Sequence, residues 1–194
     1  MNNTHAVPLA TMSWPLGRVL AAVVGAVFVA LSAQIAVPLP GTPVPITFQL
    51  AGVLIVGGLL GPRLGAASMV AYVVAGAAGL PVFAPGGALG VARLIGPTGG
   101  YLLAFPVAAA LVGLLVRFTP TIPPFRYPTR VALGVVAGFV LIHLGGIAQL
   151  AIITGDVTTA FLWGSLPFLA GDLIKLLFAG LIIWRFGPNP RARL

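Results

Sequence analysis

The chain has no cysteine in its 194 residues. Disulfides, thiol catalysis, iron–sulfur clusters and cysteine-type zinc sites are excluded together. Acid is almost as scarce, since Asp156 and Asp172 are its only two acidic side chains. Charged residues of both signs make up 6% of the chain, against about 25% in an ordinary soluble domain. A soluble surface is normally about 25–35% charged. A soluble enzyme, a disordered segment and a nucleic-acid module are therefore excluded. Catalytic signatures are missing too: there is no Walker A sequence, no HExxH and no Ser/His/Asp order. The run Gly86-Gly87-Ala88-Leu89-Gly90 has no strand or βαβ unit around it and is not a dinucleotide fingerprint. No enzyme activity and no cofactor are expected.

What remains is apolar. Hydrophobic residues are 59% of the chain, with Gly 26 and Pro 18 beside them, and the mean hydropathy is +1.13. A chain of this composition is solvated by lipid. Its net charge of +8 would suggest nucleic acid in a soluble protein. Here the basic residues are scattered between apolar blocks, which is how a membrane protein sets its orientation.

Charge-free stretches cover residues 19–62, 64–92, 94–116 and 131–155. A membrane span needs roughly 17–25 residues, so the first stretch holds two. Pro38-Leu39-Pro40-Gly41-Thr42-Pro43-Val44-Pro45 divides it, because four prolines in this run cannot be helix. The expectation is an all-α integral membrane protein, one domain over residues 1–194. Its six transmembrane helices are expected at about 16–37, 46–61, 64–79, 98–116, 130–153 and 160–186. Residues 80–100, rich in Gly and Pro, read as a long loop. Arg18 followed by residues 19–33 resembles a signal peptide, but Leu31-Ser32-Ala33 is a poor cleavage site, so this stretch reads as a retained first span.

Six spans put both termini on one side. Arg18, Arg63, Arg117, Arg126, Arg130, Arg185, Arg191 and Arg193 fall on that side, leaving only Arg93 and Lys175 toward the other. By the positive-inside rule the termini are cytoplasmic, and residues 38–45 and 80–100 face outward. Ala22, Ala26 and Ala30 form a small-residue stripe on the first helix. Such stripes let helices approach closely, either within one bundle or against a partner subunit.

Asp156 reads as a solvated loop charge. Asp172 and Lys175 differ, because they lie inside the sixth apolar segment, in Gly171-Asp172-Leu173-Ile174-Lys175. Their i, i+3 spacing places both on one helix face. An ionisable residue within a span faces an interior or a cavity and marks a site by default. The bland alternative is mutual neutralisation, but a buried pair often fails to repay its desolvation. Gly171 permits close backbone approach of a ligand. The other polar side chains in apolar surroundings are Gln34, Gln49, Ser68, Tyr72, Tyr101, His143 and Gln149. His143, in the fifth span, reads as a packing residue with no carboxylate nearby, and no metal site is expected.

Four motifs carry a family likeness. Val37-Pro38-Leu39-Pro40-Gly41-Thr42-Pro43-Val44-Pro45-Ile46-Thr47-Phe48-Gln49 resembles the first outer loop of the BioY family. Leu59-Leu60-Gly61-Pro62-Arg63-Leu64-Gly65-Ala66 resembles its second-to-third helix turn. Gly79-Leu80-Pro81-Val82-Phe83-Ala84, followed by Gly96-Pro97-Thr98-Gly99-Gly100-Tyr101, is similar to its third loop. Pro167-Phe168-Leu169-Ala170-Gly171-Asp172-Leu173-Ile174-Lys175 is similar to its sixth-helix motif, departing from it at Ala170, where the family commonly has proline.

The resemblance implies a substrate-capture (S) subunit of an energy-coupling-factor transporter, specific for biotin, in the cytoplasmic membrane. Its implied partners are a transmembrane T protein and two ATPase subunits, which alone would use ATP. Some members of the family act without that module, and self-association would then replace it. An S subunit for another vitamin, and a membrane scaffold with no transport role, are the competing classes. Biotin offers a ureido group with two N–H donors and a carbonyl, and a carboxylate tail. An ionised Asp only accepts and a Lys only donates, so one ureido group can satisfy Asp172 and Lys175. Arg93 is then the cation for the carboxylate, although the opposite polarity, with Lys175 on the carboxylate, fits as well. Gln49 and Tyr101 would complete the polar contacts, with Phe83, Phe48 and Leu173 as apolar wall.

Overall fold

The computed structural model describes residues 14–118 and 127–188. Arg126, Arg191 and Arg193, counted above toward the cytoplasmic side, lie outside the described residues. The order is α1 (Trp14–Gln34), β1 (Ala36–Val37), β2 (Ile46–Thr47), α2 (Gln49–Leu60), α3 (Pro62–Ala77), α4 (Val91–Ile95), α5 (Gly99–Phe118), α6 (Tyr127–Thr154), α7 (Val157–Gly164) and α8 (Leu169–Phe186). A 3-10 turn, Leu166–Phe168, joins the last two.

Four segments are long and apolar enough to cross a membrane: Pro15–Gln34, Gly99–Arg117, Tyr127–Thr154 and Val157–Phe186. Two apolar helices are shorter, α2 with 12 residues and α3 with 16. The short α2 is the central post. Every residue from Gln49 to Gly58 is buried, and α2 packs against α1, α3, α5, α6 and α8. A helix that is apolar all round belongs inside. Val53, Leu54 and Val56 of α2 join Val112 and Val116 of α5 and Ile183 of α8 in one core cluster.

Hydrogen bonds fix which helix ends lie together. Arg117 Nη2 donates to Leu59 O at 2.8 Å, and Tyr127 Oη donates to Ile183 O at 2.9 Å. The first ties the last turn of α5 to that of α2 and the second ties the start of α6 to the last turn of α8; the core cluster packs Val56, Val116, Tyr127 and Ile183 together, so Arg63, Arg117, Arg130 and Arg185 gather toward one end. At the other end, Gln34 Nε2 donates to Phe83 O at 3.3 Å. Gln149 Nε2 donates to Leu94 O at 2.9 Å, and Thr42 Oγ1 donates to Trp163 O at 2.7 Å.

Several sequence expectations are corrected. The first helix stops at Gln34 and the second starts at Gln49, not at residues 37 and 46. Between them Ala36 pairs with Thr47, and Val37 with Ile46, in an antiparallel ladder. Val37 precedes Pro38, which disfavours helical backbone, and Ile46 and Thr47 are β-branched residues that fit an extended pair. The third helix begins at Pro62, where proline's missing N–H costs nothing at the first helical position. The loop over residues 80–100 carries the short helix α4. The sixth helix is not continuous over 160–186. It breaks at Ser165, whose φ of −130° and ψ of −55° are not helical, and Pro167 in the following turn has no N–H to extend α7. Asp156 is more than a solvated charge: it is the N-cap of α7, accepting from the backbone N–H of Thr158 and Thr159. Bonds from Thr159 and then Thr158 hold its carboxyl below the usual range.

The Ala22, Ala26 and Ala30 stripe is half-buried, and Ala26 and Ala30 pack against the core cluster. Next to it a Cβ on Gly25 would press on Ser68 of α3. The close approach that small residues allow is used within this chain, while Val24, Val27 and Leu31 form the outward face of α1.

Candidate functional site

One cavity collects the charged and polar side chains away from the arginine-rich end. It is partly open to its surroundings. Asp172, Lys175, Arg93, Gln49, Tyr101 and Phe83 all line it. The elements that deliver them are far apart in sequence. Gln49 is the first residue of α2, Tyr101 lies in the first turn of α5, and Asp172 lies in the first turn of α8. Three helix N-termini thus open on one cavity, each the positive end of its helix dipole. Arg93 comes from α4 and Phe83 from the loop before it.

Asp172 is 2% exposed and Lys175 8%. Lys175 Nζ donates to Asp172 Oδ1 at 2.7 Å. The other carboxylate oxygen, Oδ2, meets His143 Nε2 at 3.0 Å. This corrects the reading of His143 as a packing residue with no carboxylate nearby, because α6 and α8 bring the two together. His143 Nδ1 in turn meets Ser165 Oγ at 2.5 Å. Its ring packs on Phe139, with centroids 4.3 Å apart, and stands edge-on to Tyr101. Among the described residues no group of three His, Cys, Asp or Glu is arranged to hold a metal ion.

Arg93 is buried but differently placed. Its Nη2 donates to Ala84 O at 2.8 Å, while its buried Nε has no hydrogen-bond partner. Burial draws the guanidinium below its ordinary pKa without discharging it. Asp156 is exposed and capping α7, and Asp172 is engaged by Lys175 and His143. Among the described residues, then, no carboxylate pairs with Arg93. A buried charge without a partner is costly, and an anion entering the cavity would relieve it.

Gln49 Nε2 donates to Tyr72 Oη at 2.7 Å, and Tyr72 Oη donates to Val82 O at 3.1 Å, which leaves the Gln49 carbonyl for the cavity. Tyr101 Oη donates to Gly164 O at the break between α7 and α8. Its proton is therefore spent on the fold, and the ring, half-buried, acts mainly as wall. Phe83, Phe105 and Phe168 supply the remaining aromatic lining. Two residues expected in the wall are elsewhere. Leu173 is 58% exposed, pointing away from the bundle, and Phe48 stacks edge-on against Phe178. Gly171 does not line the cavity. His143, Ser165, Phe105 and Phe168 were missed as site residues. For His143 the signal was present: an ionisable side chain in the middle of an apolar span.

A second cavity lies between the two Pro/Gly-rich loops. Pro38, Leu39, Thr42, Pro85, Gly86 and Gly87 line it, and it shares Pro45, Arg93 and Thr98 with the first. Arg93 therefore stands where the two cavities meet.

The model of the BioY family matches residues 3–189. A probable biotin transporter BioY of Pyrococcus horikoshii is 40% identical over 167 residues, covering 84% of this chain and 94% of the relative. The biotin transporter BioY of Thermotoga maritima is 38% identical over 159 residues, covering 81% and 88%. Among solved structures, the S-component for biotin from an ECF-type ABC transporter superposes with a TM-score of 0.76. It is 27% identical, and the match covers 88% of this chain and 90% of that one.

Proposed function

The chain belongs to the BioY family, and from that premise we propose that it captures biotin and carries it across the membrane as the S subunit of an energy-coupling-factor transporter. The observation that carries the reading is the pairing of two unlike sites in one aromatic-lined cavity. One is a buried Asp172–Lys175 pair with acceptor and donor side by side. The other is the buried Arg93 guanidinium, whose Nε has no hydrogen-bond partner and which no carboxylate pairs among the described residues. Biotin matches both. Its ureido N–H groups and carbonyl are complementary to Asp172 and Lys175, and its carboxylate compensates Arg93. Lys175 already has a carboxylate and Arg93 has none among the described residues, which favours the ring inward and the tail toward the second cavity. Gln49 would offer its carbonyl to the ring, and Tyr101, Phe83 and Phe168 would cover the apolar faces.

The fold reading is finer than the four long apolar segments. We assign six passes, counting α2 and α3 as short spans and α7 with α8 as one. Arg18, Arg63, Arg117, Arg130 and Arg185 lie at the cytoplasmic end, and both termini are inside. The membrane is the cytoplasmic membrane. The chain needs no cofactor, and ATP is used only by two ATPase subunits that reach it through a T protein. The docking face is assigned to α1, where Val24, Val27 and Leu31 project outward beside Ala22, Ala26 and Ala30. In cells without such a module, self-association would use the same face.

Equilibrium binding to the purified protein tests the substrate. Biotin is expected to bind with a stoichiometry of one, and other vitamins of similar size not to compete. Competition by a different vitamin, with biotin inert, would identify an S subunit of other specificity. Binding of none would favour a scaffold.

A further inference from the structure

The cavity is backed by a chain of four buried polar side chains, only two of which are given a ligand to hold. Ser165, His143, Asp172 and Lys175 are 3%, 7%, 2% and 8% exposed. Their contacts run in series: Ser165 Oγ to His143 Nδ1, His143 Nε2 to Asp172 Oδ2 at 3.0 Å, and Lys175 Nζ to Asp172 Oδ1 at 2.7 Å. Resting on the assignment of Asp172 to biotin, we infer that His143 is a positioning residue for substrate recognition. Its ring holds the Asp172 carboxylate in the orientation that receives the ligand, and Ser165 holds the ring in the tautomer that makes this possible.

Donor and acceptor roles leave little freedom. An ionised carboxylate only accepts, so His143 Nε2 must carry a proton to bond Oδ2. In neutral imidazole Nδ1 is then a bare acceptor, and the Ser165 hydroxyl is the donor that suits it. Were the proton on Nδ1 instead, a lone pair on Nε2 would face the carboxylate. Without His143, the carboxylate could turn both oxygens toward Lys175, and its remaining lone pairs would leave the cavity. With His143 on one oxygen and Lys175 on the other, the carboxylate is pinned between α6 and α8.

The arrangement also accounts for the break in the last span. Ser165 lies at the interruption between α7 and the 3-10 turn, outside regular helix. A half-buried or lipid-facing serine would do nothing for His143. Here the residue that ends α7 is the one that reaches the imidazole. The charged and titratable groups around the ring are Asp172 and Lys175 from α8 and Tyr101 from α5, whose hydroxyl is committed to Gly164 O.

The test is biotin binding to purified variants, with thermal unfolding recorded for each. His143→Leu is expected to weaken binding by about tenfold, the scale of leaving a buried group unsatisfied. Gln can place an amide N–H near the position of Nε2, so His143→Gln is expected to stay within about threefold of the native protein. Ser165→Ala is expected to fall between the two. The decisive measurement is a double-mutant cycle. In an Asp172→Asn background, His143→Leu is expected to add less than about twofold, because the carboxylate it positions is gone. Equal losses in His143→Leu and His143→Gln, or losses that multiply in the cycle, would overturn the inference and leave His143 a packing residue. Normal binding by His143→Leu would overturn it as well. Normal binding by Asp172→Asn alone would instead remove the site assignment, and this inference with it. Should His143→Leu fail to fold, the cycle of Ser165→Ala with Asp172→Asn decides by the same criterion.

Discussion

Gly87 lies so close to Arg93 that a Cβ at position 87 would overlap the guanidinium. The loop before α4 thus holds Arg93, which no carboxylate pairs among the described residues, by having no side chain beneath it. Gly87→Ala is expected to displace Arg93 without touching the Asp172–Lys175 pair. Biotin binding should weaken by more than about tenfold, as for loss of one charged contact, while biotin amide, which has no carboxylate to lose, should be little affected. Dissociation constants for both ligands check this. Equal losses for acid and amide would place the tail away from Arg93.

Asp172 and Lys175 should each be indispensable. Truncating one partner of a desolvated charge pair costs about 2–5 kcal/mol, partly because the other charge is left buried alone. Asp172→Asn and Lys175→Ala are therefore expected to weaken biotin binding by more than about tenfold. If Lys175 holds the ureido carbonyl, Lys175→Ala weakens biotin and biotin amide by similar factors, and Arg93→Ala weakens biotin selectively. The reverse pattern would invert the ligand in the cavity. Normal binding by both folded variants would make the pair a structural neutralisation.

Much of this was legible in the chain because lipid leaves so few ways to satisfy a polar group. Asp172 and Lys175 stood out because a charge inside an apolar run needs a partner or a cavity, and the cavity has both. Arg93, Gln49, Tyr101 and Phe83 followed from motif positions, and the fold brings them together. What stayed hidden depended on contacts between distant segments. His143 and Asp172 are 29 positions apart and meet only once α6 packs beside α8. Gly164 and Pro167 flank the break at Ser165, yet composition alone does not say whether such a span kinks or parts. The hairpin of Ala36–Val37 with Ile46–Thr47 is too short to show as alternation. Leu173 went astray for a different reason: adjacency to Asp172 in sequence places it about 100° around the helix, on the lipid side.

The topology can be read with single cysteines, since the chain has none of its own. Gly41→Cys lies in the loop between β1 and β2, in open space but at a φ of 85° that strains a residue with a side chain, and Pro188→Cys follows α8. In intact cells an impermeant thiol reagent is expected to label Gly41→Cys and to spare Pro188→Cys until the membrane is opened. Labelling of Pro188→Cys alone would reverse the orientation. Labelling of both would place an even number of passes between them.

The first helix separates two roles that its alanine stripe leaves mixed. Ala26 packs against the core, whereas Val27 is 51% exposed on the outward face. Ala26→Trp forces an indole into the bundle, and overpacking of this kind costs about 1–3 kcal/mol. It is expected to lower the unfolding temperature and to reduce biotin binding and uptake together. Val27→Trp leaves the bundle intact and enlarges the surface on which a T protein would sit. Uptake in cells carrying the ATPase module is expected to fall while the dissociation constant for biotin stays unchanged. Unimpaired uptake by Val27→Trp, with binding retained, would move the docking face off this side of α1. Uptake lost with binding retained in Ala26→Trp would show that the stripe itself, and not its outward neighbours, meets the partner.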